Sequence, residues 1–169
     1  MKYFRYIFLL LIIGCSSSKV VYDYDSKTDF TKFKTYAFFE DVGDGLNEID
    51  TKRFVNSIEN YLDSLGLRKN EKPDFYINLV SEKAELPKNN NVGVGVGGRN
   101  AGISISTGML FGGNKIRETI TIDFVESSNN KLFWQGILNT KVREKIKPED
   151  REVLVDQIIA KILNKYPPK

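Results

Sequence analysis

Two apolar stripes at helical spacing, set among segments that alternate with period two, constrain this chain most. The first stripe is Phe54, Val55, Ile58, Leu62 and Leu65, in a helix expected from about Glu48 to Leu65. Asn47 or Asp50 can cap its start, and Gly66 stops it. The second stripe is Val155, Ile158, Ile159, Ile162, Leu163 and Tyr166. Pro148 suits its first position, and Glu149, Asp150 and Glu152 face the positive end of the helix dipole. Lys161 and Lys165 suit its last turns, and Pro167-Pro168 ends it. A helix with one greasy stripe must bury it against a second layer. The alternating segments supply that layer.

Val20–Tyr24 and Thr35–Phe39 are short strands rich in β-formers. A loop over Glu40–Gly45 follows, marked by Gly43 and Asp44-Gly45. Pro73 leads into a strand from Asp74 to Glu82, with Phe75, Ile77 and Leu79 on one face and Tyr76, Asn78 and Val80 on the other. Ile116–Glu126 and Leu132–Val142 form a hairpin about the turn Ser127–Asn130. One face of the first strand holds Ile116, Ile120, Ile122 and Phe124 and is interrupted by Glu118; one side of the second holds Leu132, Trp134 and Leu138. The order is strands, helix, strands, helix. It predicts an α+β fold, a mostly antiparallel sheet with two amphipathic helices packed on one face.

The segment 87–113 stands apart. Asn89-Asn90-Asn91 precedes Val92-Gly-Val94-Gly-Val96, and Ile103-Ser-Ile105-Ser follows a glycine-rich link. A small hairpin and a mobile loop both satisfy this pattern, because glycine in a strand loses entropy and packs nothing.

The N-terminus defines location. Lys2 and Arg5 precede an unbroken apolar and aromatic run, Tyr6–Ile13, then Gly14 and Cys15. The run falls short of the ~20 apolar residues that a membrane-spanning helix needs. Ile12-Ile13-Gly14-Cys15 resembles the lipobox of bacterial lipoproteins. That resemblance implies a diacylglycerol thioether on Cys15, cleavage just before it and fatty acylation, of the palmitate kind, on the new N-terminus. Cys15 is the only cysteine, so it has no disulfide partner. The expected organisation is a leader over 1–14, a lipidated tether over 15–19 and one domain over 20–169. Ser16, in place of aspartate, resembles the pattern that sorts such proteins to the outer membrane.

Composition removes most chemistry. Without residues 1–14 the chain has 155 residues, and losing Lys2 and Arg5 lowers its charge from +3 to +1. A near-neutral chain gives no electrostatic reason to expect nucleic acid. There is no histidine, and the anchor that the lipobox resemblance implies takes the one thiol. Ser-His-Asp and Cys-His mechanisms, zinc sites with nitrogen or sulfur ligands, and haem held by histidine therefore have no ligands or bases to use.

Remaining motifs fail on context. Gly93-x-Gly95-x-x-Gly98 matches the letters of a dinucleotide fingerprint but lacks the strand before and the helix after. Ser16-x-x-Lys19 lacks the partner motifs of penicillin-binding enzymes. Asp23, Asp25 and Asp29 suggest a calcium loop, but Lys27, Thr28 and Lys34 stand where its ligands and glycine belong. Tyr22, Tyr24, Phe30, Phe33, Tyr36, Phe38 and Phe39 could line a groove, though core and cross-strand packing suits aromatics in strands better, as it does for Trp134. Lys141–Lys147 alternates sign at Glu144 and is read as a solvated turn.

Several segments in order resemble the envelope lipoproteins of domain of unknown function 4136. They are Val21-Tyr22-Asp23-Tyr24-Asp25; Asp29-Phe30 with Lys34-Thr35-Tyr36-Ala37; Pro73-Asp74-Phe75; the glycine-alternating stretch 92–113; Ile120-Thr-Ile-Asp123-Phe with Lys131-Leu-Phe-Trp134-Gln-Gly136; and Tyr166-Pro167-Pro168. The resemblance implies an anchored α+β domain in the cell envelope and carries no activity, cofactor or catalytic residue. The expected function is a non-catalytic binding or scaffolding module, held on the membrane by its lipid and meeting an envelope protein partner. The alternative is a carrier of a small apolar ligand, with the glycine-rich segment as a flap. No cofactor or metal is expected, and the oligomeric state is left open.

Overall fold

The computed structural model describes residues 19–86 and 115–168, together with the backbone of Gly93–Gly95 and Ser104–Ser106. In chain order the strands are β1 (Val20–Tyr24), β2 (Thr35–Phe38), β3 (Arg68–Lys69), β4 (Phe75–Glu85), β5 (Gly93–Gly95), β6 (Ser104–Ser106), β7 (Lys115–Glu126) and β8 (Leu132–Arg143). The helices are α1 (Glu48–Ser64) and α2 (Pro148–Leu163), and a 3-10 turn covers Phe30–Lys32. Six strands form one sheet in the order β1-β8-β7-β4-β2-β3, and β5 pairs with β6 apart from it.

The α+β reading holds, with the sheet mixed. β1–β8, β8–β7 and β7–β4 are antiparallel, whereas β2 runs parallel to both β4 and β3. Parallel neighbours need a crossover connection, and α1 provides it between β2 and β4.

Local chemistry sets both ends of α1. The Asn47 side chain accepts from Asp50 N. At the other end Gly66 N–H donates to Asp63 O and Leu67 N–H to Leu62 O, a paired closure that requires a left-handed residue. Gly66 meets the requirement with φ +85°.

The core lies on one face of the sheet. Ile77, Leu79 and Ser81 pair across to Phe124, Ile122 and Ile120, which pair on to Trp134, Gly136 and Leu138, while Phe75 lies opposite Glu126. Phe54, Ile58 and Leu62 of α1 and Val155, Ile158, Ile159, Ile162 and Leu163 of α2 close over them in a single cluster. Gly136 makes room for α2: a Cβ there would stand 2.6 Å from Ile162 Cγ2 and 2.6 Å from Trp134 Cη2.

One expected face is corrected. Leu132 does not join Trp134 inside; it is 51% exposed, and Phe133 is buried at 2%. The register shifts between Phe124 and Val125, so Phe124 pairs with Trp134 and Val125 with Leu132. The extra residue is a β-bulge that turns both Phe133 and Trp134 inward. Leu65, at the end of the first stripe, is likewise exposed.

Pro73-Asp74-Phe75 acts as a clasp between β2 and β4. One Asp74 carboxylate oxygen accepts from Lys34 N (2.8 Å), Thr35 N (2.8 Å) and Thr35 Oγ1 (2.9 Å). Asp74 N–H in turn donates to Thr35 O. Burial opposes the charge, but these hydrogen bonds outweigh it and hold the carboxyl below its ordinary range. The stabilisation is therefore complete above the ordinary carboxylate value and is lost as pH falls through the lower folded value. Asp74→Ala leaves two backbone donors without an acceptor and should cost about 2 kcal/mol at neutral pH. Urea unfolding checks this, and the cost should shrink on strong acidification.

Candidate functional site

Cys15 and Ser16, the anchoring and sorting residues expected from sequence, lie outside the described residues, as do the leader and most of the tether. Lys19 begins the described chain and leads into β1. Most of the glycine-rich segment is also outside. Within it Gly93, Val94 and Gly95 pair antiparallel with Ser106, Ile105 and Ser104.

The aromatic run divides between core and edge. Phe33 and Tyr36 are buried in the main cluster, with Phe30 and Phe38 packed against it. Burial also pushes the Tyr36 hydroxyl up to about 12, with the Asp63 and Glu59 charges adding to the effect. Tyr22 and Tyr24 instead stack on the exposed strand β1, with centroids 6.3 Å apart. Trp134 is fully buried, and its indole N–H donates to Lys165 O at 3.4 Å.

The early aspartates serve the backbone. Asp23 Oδ1 accepts from Tyr24 N, Asp25 Oδ1 from Lys27 N, and Asp29 Oδ1 from Thr31 N and Thr31 Oγ1. Among the described residues no group of three or more Asp, Glu, Cys or His side chains could hold a metal.

A depression of about 630 Å³ opens beside β4. Val42, Leu46 and Val80 give it apolar patches, while Asp41, Asp44, Glu48, Lys52 and Asn78 bring charge and polarity. The loop that walls it continues the line of β2 along β4: Gly43 N–H donates to Leu79 O and Ser81 N–H to Asp44 O. Gly45 touches that strand so closely that a Cβ would stand 1.9 Å from Ser81 O. This is an open, polar-rimmed hollow, without the enclosed apolar shape of a carrier site.

The concentrated chemistry of the domain is a buried ion network. Arg151, at the start of α2, reaches Glu118 of β7 through two bonds of 2.8 Å, Nη1 to Oε2 and Nη2 to Oε1. Its Nη2 and Nε also bond Asp50 Oδ2 of α1, at 3.1 and 3.3 Å. Arg53 Nη1 holds the other Asp50 oxygen at 2.9 Å, Ser81 Oγ lies 3.4 Å from Glu118, and Lys83 Nζ stands 3.9 Å away. Glu118 is fully buried, and Arg151 and Asp50 are nearly so. Burial works against the Asp50 charge, but Arg151 and then Arg53 overcome it and keep the carboxyl below its ordinary range. Burial also works against the Arg151 charge, and the bonds to Glu118 and Asp50 raise its affinity for the proton above normal. Among the described residues no buried side-chain polar atom lacks a partner. The network is closed: each carboxylate is occupied by a guanidinium, so neither presents a base to a substrate. Its effect is mechanical, fastening the first turns of both helices to the sheet.

Sequence reading noticed Glu118 and missed its partners. The signal was there: Arg151 falls four residues before Val155, and Asp50 four before Phe54, each in phase with a buried stripe. Three charges of mixed sign on three inward-facing positions imply a buried ion network.

These features define a class: a small α+β domain whose two helices cover one face of a mixed sheet and are pinned to it by buried ions. The chain belongs to the family described as Domain of unknown function (DUF4136), whose sequence model matches residues 20–168. No curated protein matches it. Among solved structures, a PDZ domain protein from Parabacteroides distasonis is similar with TM-score 0.60 and 16% identity, over 90% of this chain and 36% of that one. The chain thus spans about a third of that protein's length. Two structures of a PelC dodecamer from Paraburkholderia phytofirmans are similar with TM-scores of 0.53 and 0.51, at 10% and 11% identity. They are matched over 87% and 86% of this chain and 95% of each of those. At these identities the likeness is one of fold.

Proposed function

We propose that this protein is a lipid-anchored domain of the bacterial cell envelope, a non-catalytic binding or scaffolding module on the outer membrane facing the periplasm. The observation that carries the reading is Cys15. It stands directly after the apolar run Tyr6–Ile13 and Gly14, five residues before β1 opens the family domain at Val20.

Two structural observations support the module reading. The buried ionisable groups hold the domain together and are turned toward one another, not toward a cleft. Among the described residues β1 pairs on one side only, so its outer edge carries backbone donors and acceptors with no strand partner, Tyr24 N–H alone being held by the Asp23 side chain. Val21, Tyr22 and Tyr24 are exposed along it, at 53%, 43% and 39%. Such an edge suits a partner that adds a strand.

Metabolic labelling with a fatty acid tests the anchor. The wild-type protein should take up label and fractionate with the outer membrane. Cys15→Ser should take up none, and Ser16→Asp should move the labelled protein to the inner membrane. Label retained by Cys15→Ser, or a wild-type protein without label, would overturn the anchoring.

A further inference from the structure

The far end of the sheet carries a charge pattern that costs stability. β7 and β8 continue beyond the end of β1, whose first residue Val20 pairs with Leu138. In that extension Arg117 pairs directly with Lys141, and Lys115 directly with Arg143. Residues opposite one another in an antiparallel pair share a face, so these four exposed cations lie together on the face away from the helices. Like charges directly opposite are destabilising. Among the described residues none of the four has an ion pair or hydrogen-bonding acid. Glu82 is the nearest acid on that face, paired with Thr119 and so one diagonal step from Arg117. Glu85 and Glu118 pair with Ile116 and Thr140 and belong to the opposite face. Residues 1–18 and 87–114 contain no aspartate or glutamate, so neither segment can supply the missing counter-charge.

The position of this patch says what would supply it. A chain extended from Val20 back to Cys15 covers about 17 Å at the rise of a strand. Leu138 to Arg143 is the same number of residues, so the cationic tip and a lipid on Cys15 can reach the same level. We propose that Lys115, Arg117, Lys141 and Arg143 form a docking face for an anionic phospholipid surface, which lays the domain against its membrane in a fixed orientation. The proposal rests on Cys15 being the anchor for that orientation. The affinity of the patch for anionic lipid is a separate quantity, measurable without the anchor.

The test uses residues 19–169 without the leader. This piece contains the whole described core and the span matched by the family. Co-sedimentation with vesicles compares pure phosphatidylcholine against phosphatidylcholine mixed with phosphatidylglycerol. The domain should bind the anionic vesicles, release as salt rises, and ignore the neutral ones. Each basic side chain near such a surface contributes about 1 kcal/mol, so Arg117→Thr with Lys141→Thr should weaken binding roughly thirty-fold. A control pair in α1 and the turn before β4, Lys52→Thr with Lys72→Thr, should change it little. The patch variant should also unfold at the same or higher urea concentration, because a repulsive pair is gone. Equal binding to both vesicle types, an undiminished patch variant, or equally tight capture by soluble polyglutamate would overturn the membrane assignment. Fatty-acid labelling of Cys15 fails or succeeds independently of all three.

Discussion

Arg151→Met should lower the stability of the domain by about 3–5 kcal/mol at neutral pH, because it takes the principal cation from two buried carboxylates and leaves Glu118 only Lys83, 3.9 Å away. Glu118 is fully buried, and Asp50 keeps only Arg53, which lies toward the surface. In urea the midpoint should fall with little change in slope. The side chain also lies 5.7 Å from the centre of the Phe54 ring, a contact that methionine partly retains, so the loss reads the charge and not the volume. The pH dependence has a definite sign. In the wild type Asp50 is held below its ordinary carboxylate range, so its contribution is complete above that range and is lost as pH falls through the lower folded value. In the variant Asp50 loses its main cation and takes up a proton more readily. The gap between variant and wild type should therefore narrow as the pH drops. Replacing Asp50 and Glu118 by leucine together with Arg151→Met should restore much of the loss, because an apolar trio has no charge left to desolvate. A triple variant as unstable as the single one would show that the network contributes through more than its unpaired charges.

Trp134→Ala should cost about 3–5 kcal/mol and lower Tm by roughly 10 °C or more. Trp134 is fully buried, tilted against Phe124 at 4.8 Å and edge-on to Tyr166 at 5.6 Å. It also lies over Gly136, beside Ile162 of α2. Removing the ring empties the seam between sheet and helix, where the rigid cluster around Phe75, Phe124 and Phe133 can collapse only in part. Calorimetry checks it. A loss below about 1 kcal/mol would mean that the seam refills and that the Trp-Gln-Gly segment is not a packing requirement.

Packing accounts for the segment Trp134-Gln-Gly136. The large ring and the missing side chain two residues on are complementary, and neither is a ligand platform. Pro73-Asp74-Phe75 is similar: Asp74 is a strand clasp, and Phe75 meets Phe33, Tyr36, Phe124, Phe133 and Tyr166.

Both helices, the long hairpin and the strand from Pro73 were legible because each pairs a clear period with clear end signals. The parallel placement of β2 was not. Its sequence states that it is a strand, but the direction of its neighbour is fixed by where α1 returns the chain. β3 was too short to show any period, with two residues, Arg68 and Lys69. The inward turn of Phe133 escaped because strict alternation has no room for a bulge. The ion network escaped for a different reason. Asp50, Glu118 and Arg151 are tolerated inside only because each satisfies another, and that becomes visible when three distant segments are brought together. The patch at Lys115, Arg117, Lys141 and Arg143 was hidden in the same way: along the chain the Lys141–Lys147 stretch alternates sign at Glu144, and only the register puts like charges side by side.

The claim beneath both functional readings is that Cys15 is the mature, lipidated N-terminus. The most direct test is the mass of the N-terminal peptide of the protein purified from the envelope of cells that express the full chain. The expected result is a peptide that begins at Cys15 and carries diacylglycerol on sulfur and a fatty acyl group on nitrogen. A peptide that still includes Gly14, or one that begins at Cys15 with a free thiol, would contradict the account.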